Sequence, residues 1–509
     1  MKRPVAAAKD APTLPKSPFL EVRWDPKDGK GAVIHHTASG DRYHTCFQCG
    51  YPKYTGGLVI GNYNGSGFGF YPRRPIRGHK RINLFCAQDE SIWDIDEGKE
   101  YTYGWSENFG KGDDGVPLHY LGGKILVDNG KEVVLKSSNG AGCYHVSKVA
   151  YTRAESPYWI IATRIDNTCS HPLHFDFFSG DDPWLGLYKT SDGDVGWTPE
   201  GLVQNETHFG LGMFSGGGIY DLGNAGLGQS TADFTNQANF IRIDPASPLP
   251  NKNFFANAFA HDVSEIDPSR PLDNKTMTAL NMGWTDRRLS PGEGFTIAMA
   301  LGRADTGPPG TIPAMPAVSE QEWSVWRRYL NEDPVYRKAM TTFAAETVDI
   351  DIGDRQATIT GTYWVRTTGS GAAVGIVYPI ITATDRPAPT HIEVDGDIKQ
   401  VVNVTKSLSE SRFSVTVPDR GIVRFQVKYV QPYKKNRVTY MVTSANRWPL
   451  PLTRARFTVR HKKSFTNVQI SYPSEAITMK DDEVVHHIIR QPFSPDREMD
   501  ITFDRPIDN

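Results

Sequence analysis

For most of the chain the apolar and polar positions alternate as they do in strands. Residues 159–165 carry Trp159, Ile161, Thr163 and Ile165 at every second position. Residues 173–178 put Leu173, Phe175 and Phe177 on one face and His174, Asp176 and Phe178 on the other. Successive side chains alternate across a strand, so His174 and Asp176 are expected to project the same way. The connector 166–172 has the Asp, Asn, Ser and Pro of a turn, and Gly180-Asp181-Asp182-Pro183 reads as the stop of the second strand. Upstream, Asn129-Gly130 between the runs 124–127 and 132–137 signals a hairpin, and a further strand run follows at 146–152. The Gly65, Gly67 and Gly69 series has no strand-then-helix context, so it reads as a tight hairpin rather than a phosphate-cradling loop. Residues 209–228 are rich in glycine and read as a long loop. At 289–301 a Pro-Gly turn feeds an apolar strand.

The period changes once. Residues 305–318 are Pro-rich and read as a linker. Ser319 and Glu322 then fit a capping box, and Trp323, Trp326 and Leu330 follow at helical spacing. Asp333-Pro334 breaks this helix, and residues 335–346 are expected to form a second short one. Strand candidates return at 357–367, 372–381, 398–404, 412–417, 422–430, 437–443, 454–460 and 467–472. Short strands at this regular spacing read as an immunoglobulin-like β-sandwich. The expected fold class is mostly β. A tail covers residues 1–18, a large β domain 19–305, a linker with short helices 306–346, and a second sandwich 347–509.

Composition narrows the function. A chain of 509 residues exceeds one ordinary core, and its 47 glycines, 35 prolines and 11% aromatics suit an all-β protein. The net charge of −2 supplies no basic field for nucleic acid. No apolar run reaches the roughly 18 residues of a membrane-spanning helix. The start of the chain lacks the apolar core of a signal peptide, and the β-rich composition and cysteines point to an extracellular or periplasmic protein. The five cysteines, Cys46, Cys49, Cys86, Cys143 and Cys169, leave at least one thiol unpaired within the chain, and their connectivity stays open.

Residues 120–302 resemble the galactose-mutarotase-like supersandwich. The resemblance rests on Arg164-Ile-Asp-Asn167 followed by His171-Pro-Leu-His-Phe175, where that family has a strand, an Asn-rich turn and a second strand, and on the closing Leu289-Ser-Pro-Gly-Glu-Gly-Phe295. It implies a large antiparallel supersandwich and carbohydrate binding in a cleft of the sheet. His171 and His174 approximate the family's catalytic histidine. Nothing matches its distant catalytic glutamate, since Glu293 sits in the turn. The resemblance therefore implies sugar binding more than epimerase activity.

Several constellations could carry chemistry. His174 beside Asp176 has the make-up of an acid–base pair, against the alternative of a solvated outer face. Glu206 and His208, flanking the glycine-rich loop, are candidates for a second half of that catalytic set. Trp184 offers an apolar ring for stacking on a sugar, and His171, Asp181, Asp182 and Trp197 complete the candidate ligand-binding set. Asp181, Asp182, Asp192 and Asp194 offer hard oxygens for calcium, against ordinary acidic turns. His44, Cys46 and Cys49 form half of a zinc site that His79 and Cys86 could complete, against the alternatives of a disulfide or free thiols. The function expected is carbohydrate binding or processing. The alternative is a non-catalytic structural or assembly protein of the cell surface. A homo-oligomer is compatible with either.

Overall fold

The structure, a computed structural model, describes residues 17–505 except 50–54, 63–64, 105–114, 188–190, 224–233, 259–261, 273–276, 331–340, 368–370, 390, 397, 403–409, 419–420, 449–450 and 481. Two large sheets face each other in the first part of the chain. One has nine antiparallel strands, in the spatial order Gly201–Val203, Asp194–Thr198, Gly216–Asp221, Ala238–Ile243, Gly294–Ala304, Tyr158–Asn167, Tyr144–Arg153, Glu132–Ala141 and His119–Asp128. The other has seven: Thr207–Phe209, Lys252–Ala256, Ala279–Leu289, Leu173–Asp182, Ala87–Asp94, Lys99–Gly104 and Val116–Pro117. A five-stranded sheet running from Phe19–Val22 to Ile82–Phe85 packs on the same core.

Alternation explains which side chains enter that core. Trp159, Ile161 and Ile165 meet Phe175 and Phe177 between the two sheets. Ile160 and Ala162, on the other face of the same strand, lie under a helix, so Tyr158–Asn167 is buried along its whole length. The hairpin at Asn129-Gly130 forms as its sequence requires. Gly130 takes φ +74°, and the Asn129 Oδ1 accepts from the backbone N–H groups of Lys131 and Glu132 at 2.9 and 2.7 Å. The Leu173–Asp182 strand runs past its expected stop, because both neighbours pair with it to the end. Asp181 faces Leu280 on one side and Gln88 on the other, and Asp182 faces Ala87.

The helix Glu320–Leu330 is capped reciprocally. The Ser319 N–H donates to Glu322 at 2.9 Å, and the Glu322 N–H donates to the Ser319 hydroxyl at 3.3 Å. The helix lays Trp323, Trp326 and Leu330 on the outer face of the nine-stranded sheet. The expected linker is docked rather than free. Asp305 and Ala314 exchange two backbone hydrogen bonds at 2.9 Å, and the Ala317 carbonyl accepts from the Tyr158 hydroxyl at 3.4 Å. Of the second helix expected at 335–346, residues 335–340 lie outside the described residues. From Thr341 the chain is already strand.

The C-terminal part is a second sandwich. Its seven-stranded sheet places Thr341–Ile352 between Gln356–Thr367 and Arg454–Lys462, the latter in a parallel pairing. Two three-stranded sheets pack against the core of this sandwich, one containing Ala372–Pro379 and the other Arg437–Tyr440. No cysteine lies in this part.

Beside the junction of the two sandwiches, a buried ion pair ties the helix to the first of them. Arg327 donates to Asp244 Oδ2 at 2.6 Å, with 2% and 1% of the two side chains exposed. The Trp326 indole donates to the same oxygen at 3.2 Å, and the Ala246 N–H donates to Oδ1 at 2.9 Å. Around it, the Trp364 indole of the C-terminal sheet donates to Glu320 at 2.9 Å, and Gln491 exchanges hydrogen bonds of 2.9 and 2.6 Å with the Leu249 backbone. Truncating one member of such a pair leaves a buried, unmatched charge. Asp244→Ala is therefore expected to destabilise the protein by about 3–5 kcal/mol. Denaturant unfolding should show this as a large fall in midpoint, and a midpoint within error of wild type would exclude the ion pair as the helix's anchor.

Candidate functional sites

His174 and Asp176 do share the outer face of their strand, since Phe175 and Phe177 point into the core. They do not pair with each other. The register between this strand and Ala279–Leu289 slips between Phe175 and Phe177, which leaves Asp286 in a bulge with φ +56°. Asp176 Oδ1 accepts from the Asp286 N–H at 2.7 Å and so holds that left-handed backbone. The Asp286 carboxylate in turn meets His174 Nε2 at 2.6 Å, and Asp96 lies 3.5 Å from Nδ1. The imidazole is therefore flanked by two carboxylates from other strands or turns, and Asp176 is a backbone brace rather than its partner. Asp286 is 76% exposed and Asp96 67%. The carboxylates are open to solvent, and the cluster does not line the cavities at His208, at the domain junction or within the C-terminal sandwich.

Glu206 and His208 do not stand opposite His174. His208 pairs with Phe254, Phe254 with Asn281, and Asn281 with Gly180. This aligns His208 with Gly180, six residues along the strand from His174. The separation is roughly 20 Å along the strand and 14 Å across the sheet. Glu206 is buried and fully engaged. Its oxygens accept from the N–H groups of Asn257 and Asp267, each at 3.0 Å, and from Arg270 at 3.2 and 3.3 Å. It pins the loop between 257 and 270 rather than acting as a free base. His208 rests on Phe254, 5.1 Å between ring centroids, with its Nε2 buried and unpartnered. Burial, then the nearby Lys252, lower its pKa. It lines an open groove of about 750 Å³ with Gln204, Asn205, Val263 and Ile266.

The other candidates disperse. Trp184 lies beyond the strand end at φ +38°, with its carbonyl turned to Asn83, and ten residues separate it from His174. Trp197 is fully buried, its indole donating to the Asn239 carbonyl at 3.0 Å, and its ring forms part of the wall of the junction cleft. The side chains of Asp181 and Asp182 lie outside the described residues. His171 is exposed, 4.0 Å from the sulfur of Cys143, which is bonded to Cys169. Sulfurs joined in a disulfide are not metal ligands, so this grouping is no metal site. By the chain-entropy account the bond contributes about 3.5 kcal/mol.

Cys46, Cys49 and Cys86 are thiols. Cys46 lies 4.0 Å from His44 Nδ1 and accepts from the Asn62 amide at 3.4 Å, while Cys49 donates to the Gly31 carbonyl at 3.2 Å. The neighbouring Cys49, then His44, pushes the Cys46 thiol down. Among the described residues these side chains do not converge into a set of three metal-ligand atoms, and neither do Asp192 and Asp194. The zinc expectation thus finds no assembled site there, and two of the four calcium candidates, Asp181 and Asp182, have side chains outside the described residues.

The cleft at the domain junction has no counterpart in the sequence expectations beyond Trp197. It is about 970 Å³ and is lined by four arginines, Arg242, Arg424, Arg454 and Arg456, against two carboxylates, Glu200 and Glu320. The Nε donors of Arg454 and Arg456 and the Oε2 of Glu320 are buried without hydrogen-bond partners. Burial lowers Arg454 to about 10, which still leaves it charged at neutral pH. These residues come from both sandwiches and the helix start, so no local pattern in the sequence announces them.

No family model and no curated protein matches the chain. Among solved structures, a putative nutrient-binding protein from Legionella pneumophila aligns at 10% identity over 33% of this chain and 69% of its own, with a TM-score of 0.25. An M1 zinc metallopeptidase from Deinococcus radiodurans aligns at 11% identity over 32% of this chain and 42% of its own, with a TM-score of 0.23. The chain thus spans under half of the metallopeptidase, and likenesses this slight assign neither fold family nor activity.

Peptide mapping of unreduced, alkylated protein is expected to yield one cross-link, Cys143 to Cys169, with Cys46, Cys49 and Cys86 recovered as alkylated thiols. A Cys46–Cys49 cross-link, or zinc released on alkylation, would overturn this assignment.

Proposed function

We propose that the protein binds carbohydrate at the junction of its two sandwiches, and that the saccharide is acidic. The observation that carries this reading is the surplus of guanidinium groups in the junction cleft, two of them with buried, unmet N–H donors. A buried charge without a counter-charge is costly, and a carboxylate or sulfate on the ligand supplies both the charge and the acceptors. Arg454 spends one N–H on the Pro245 carbonyl, and Asp244 is already committed to Arg327, so the positive charge stays in surplus. Glu320, Thr347 and Thr362 offer groups for sugar hydroxyls, while Pro313, Met315 and Val318 supply apolar wall. A cleft of this size at a domain boundary is a usual place for a small-molecule site.

The facing nine- and seven-stranded sheets support the supersandwich resemblance, and the Cys143–Cys169 bond supports an exported location. The role proposed is recognition. The cluster of His174 with Asp286 and Asp96 lies away from this cleft, its carboxylates open to solvent.

Calorimetric titration with tetragalacturonate and, as a neutral control, maltotetraose tests this. The acidic oligosaccharide is expected to bind at low salt and to weaken as salt rises. Arg456→Met should weaken it about tenfold, the size of one charge-assisted hydrogen bond. Equal binding of both sugars, binding unaffected by Arg456→Met and Arg424→Met, or no binding of tetragalacturonate would refute the proposal.

A further inference from the structure

A second cavity, of about 370 Å³, lies inside the C-terminal sandwich, within the roughly 300–1,000 Å³ range of small-molecule sites. Six aromatic side chains, Phe343, Tyr363, Tyr378, Phe425, Tyr440 and Trp448, contribute to its wall. They form one connected box. Tyr363 stacks on Phe425 at 5.2 Å, meets Tyr378 edge-on at 5.6 Å, and reaches Phe343 at 5.9 Å, which continues to Trp448 at 5.9 Å. Into this box projects one carboxyl group. Glu346 is 3% exposed, and it stands there because strand alternation puts it on the same face as the core residues Val348, Ile350 and Ile352.

Counting protons shows what the cavity lacks. The Tyr440 hydroxyl donates to Glu346 Oε2 at 3.4 Å. Tyr363 and Tyr440 share a hydrogen bond of 2.9 Å, and Tyr363 and Tyr378 one of 2.7 Å. Each tyrosine has one proton to give. With Tyr440 giving its own to Glu346, Tyr363 gives to Tyr440 and Tyr378 to Tyr363. All three protons then run toward Oε2. Glu346 Oε1 remains buried without any partner. While the carboxyl is protonated that oxygen carries an unmet O–H, and once ionised it needs a donor, so either way the buried group costs stability until something that donates to the carboxylate fills the space. Glutamate amid aromatic faces is also the environment that holds an organic cation, through ion pairing and attraction to the rings.

We propose that this cavity binds a small primary or secondary organic ammonium ion, whose N–H donates to Glu346 Oε1 while its carbon skeleton lies against the aromatic box. Burial holds the empty Glu346 carboxyl up at about 8, so it is mostly protonated at neutral pH. The other titratable groups facing it, Tyr363, Tyr378 and Tyr440, with Tyr429 behind them, are all pushed up by burial and stay neutral. The cation therefore meets no competing anion inside. Arg447, which also lines the cavity, is exposed to solvent, where its charge is screened. Binding balances as one ammonium in and one proton out: the carboxyl O–H bond breaks, its proton goes to solvent, and the carboxylate accepts the ammonium N–H.

The test is calorimetry on the full chain at pH 7 with three probes of one size: phenethylamine, the neutral 2-phenylethanol and the anionic 3-phenylpropionate. Phenethylamine should bind saturably and release about one proton, read from the difference between phosphate and Tris buffers. The alcohol and the acid should each bind at least tenfold more weakly. Glu346→Gln, which keeps the shape of the side chain, should reduce phenethylamine binding tenfold or more with its far-UV spectrum unchanged. Should that variant fail to fold, Val374→Phe narrows the cavity from another strand and should have the same effect. Absence of phenethylamine binding, equal binding of the alcohol or the acid, binding without proton release, or binding that survives these substitutions overturns the proposal. Loss of saccharide binding at the junction cleft would leave this result unaffected, because the two sites share no residue.

Discussion

The Asp244–Arg327 ion pair is the contact that fixes the helix beside the junction of the two sandwiches. It joins a loop that follows a strand of the nine-stranded sheet to the helix, and the helix start joins the C-terminal sheet through Glu320 and Trp364. A buried pair of this kind adds little net stability over an apolar substitute, but it fixes geometry, because any misfit leaves a charge stranded. The same economy of charge shapes the cleft beside it. Asp244 neutralises Arg327 and is thereby unavailable to the arginines that line the cavity. Arg366, nearby, has its Nε buried and unpartnered and is lowered by burial to about 10, which extends the positive surplus under the junction.

How much of this was legible in the sequence follows from the range of each interaction. The Asn129-Gly130 hairpin and the Ser319–Glu322 cap are local. Each needs only residues a few positions apart, and both are present. The core faces of 159–165 and 173–178 followed from alternation alone. What failed was non-local. The partner of His174 is set by a bulge on a neighbouring strand, and nothing near His174 encodes that Asp286 will lie there. Asp176, adjacent by parity, was drawn instead to the backbone that the bulge leaves in need of an acceptor. Glu206 gave the composition of a catalytic base and proved to be the anchor of a loop.

Glu346 is the instructive miss. The sequence Thr-Val-Asp-Ile-Asp-Ile after it alternates cleanly, and extending that alternation back by one step places a glutamate among valines and isoleucines. Reading residues 335–346 as helix hid the signal, because helical spacing puts the same side chain on a different face. A charged residue at an inward strand position is the pattern that points to a functional cavity.

The two cavities have complementary characters: a guanidinium-rich cleft between the sandwiches, and an aromatic box with one carboxyl inside the second. The proposed recognition site is the junction cleft. Hydrogen–deuterium exchange with and without saturating tetragalacturonate tests that most directly. Slowed exchange confined to the backbone around 242–247, 313–320 and 454–456 is the predicted result. Protection at the His208 groove, 202–209 and 263–268, with none at the junction, or no protection anywhere, would contradict it.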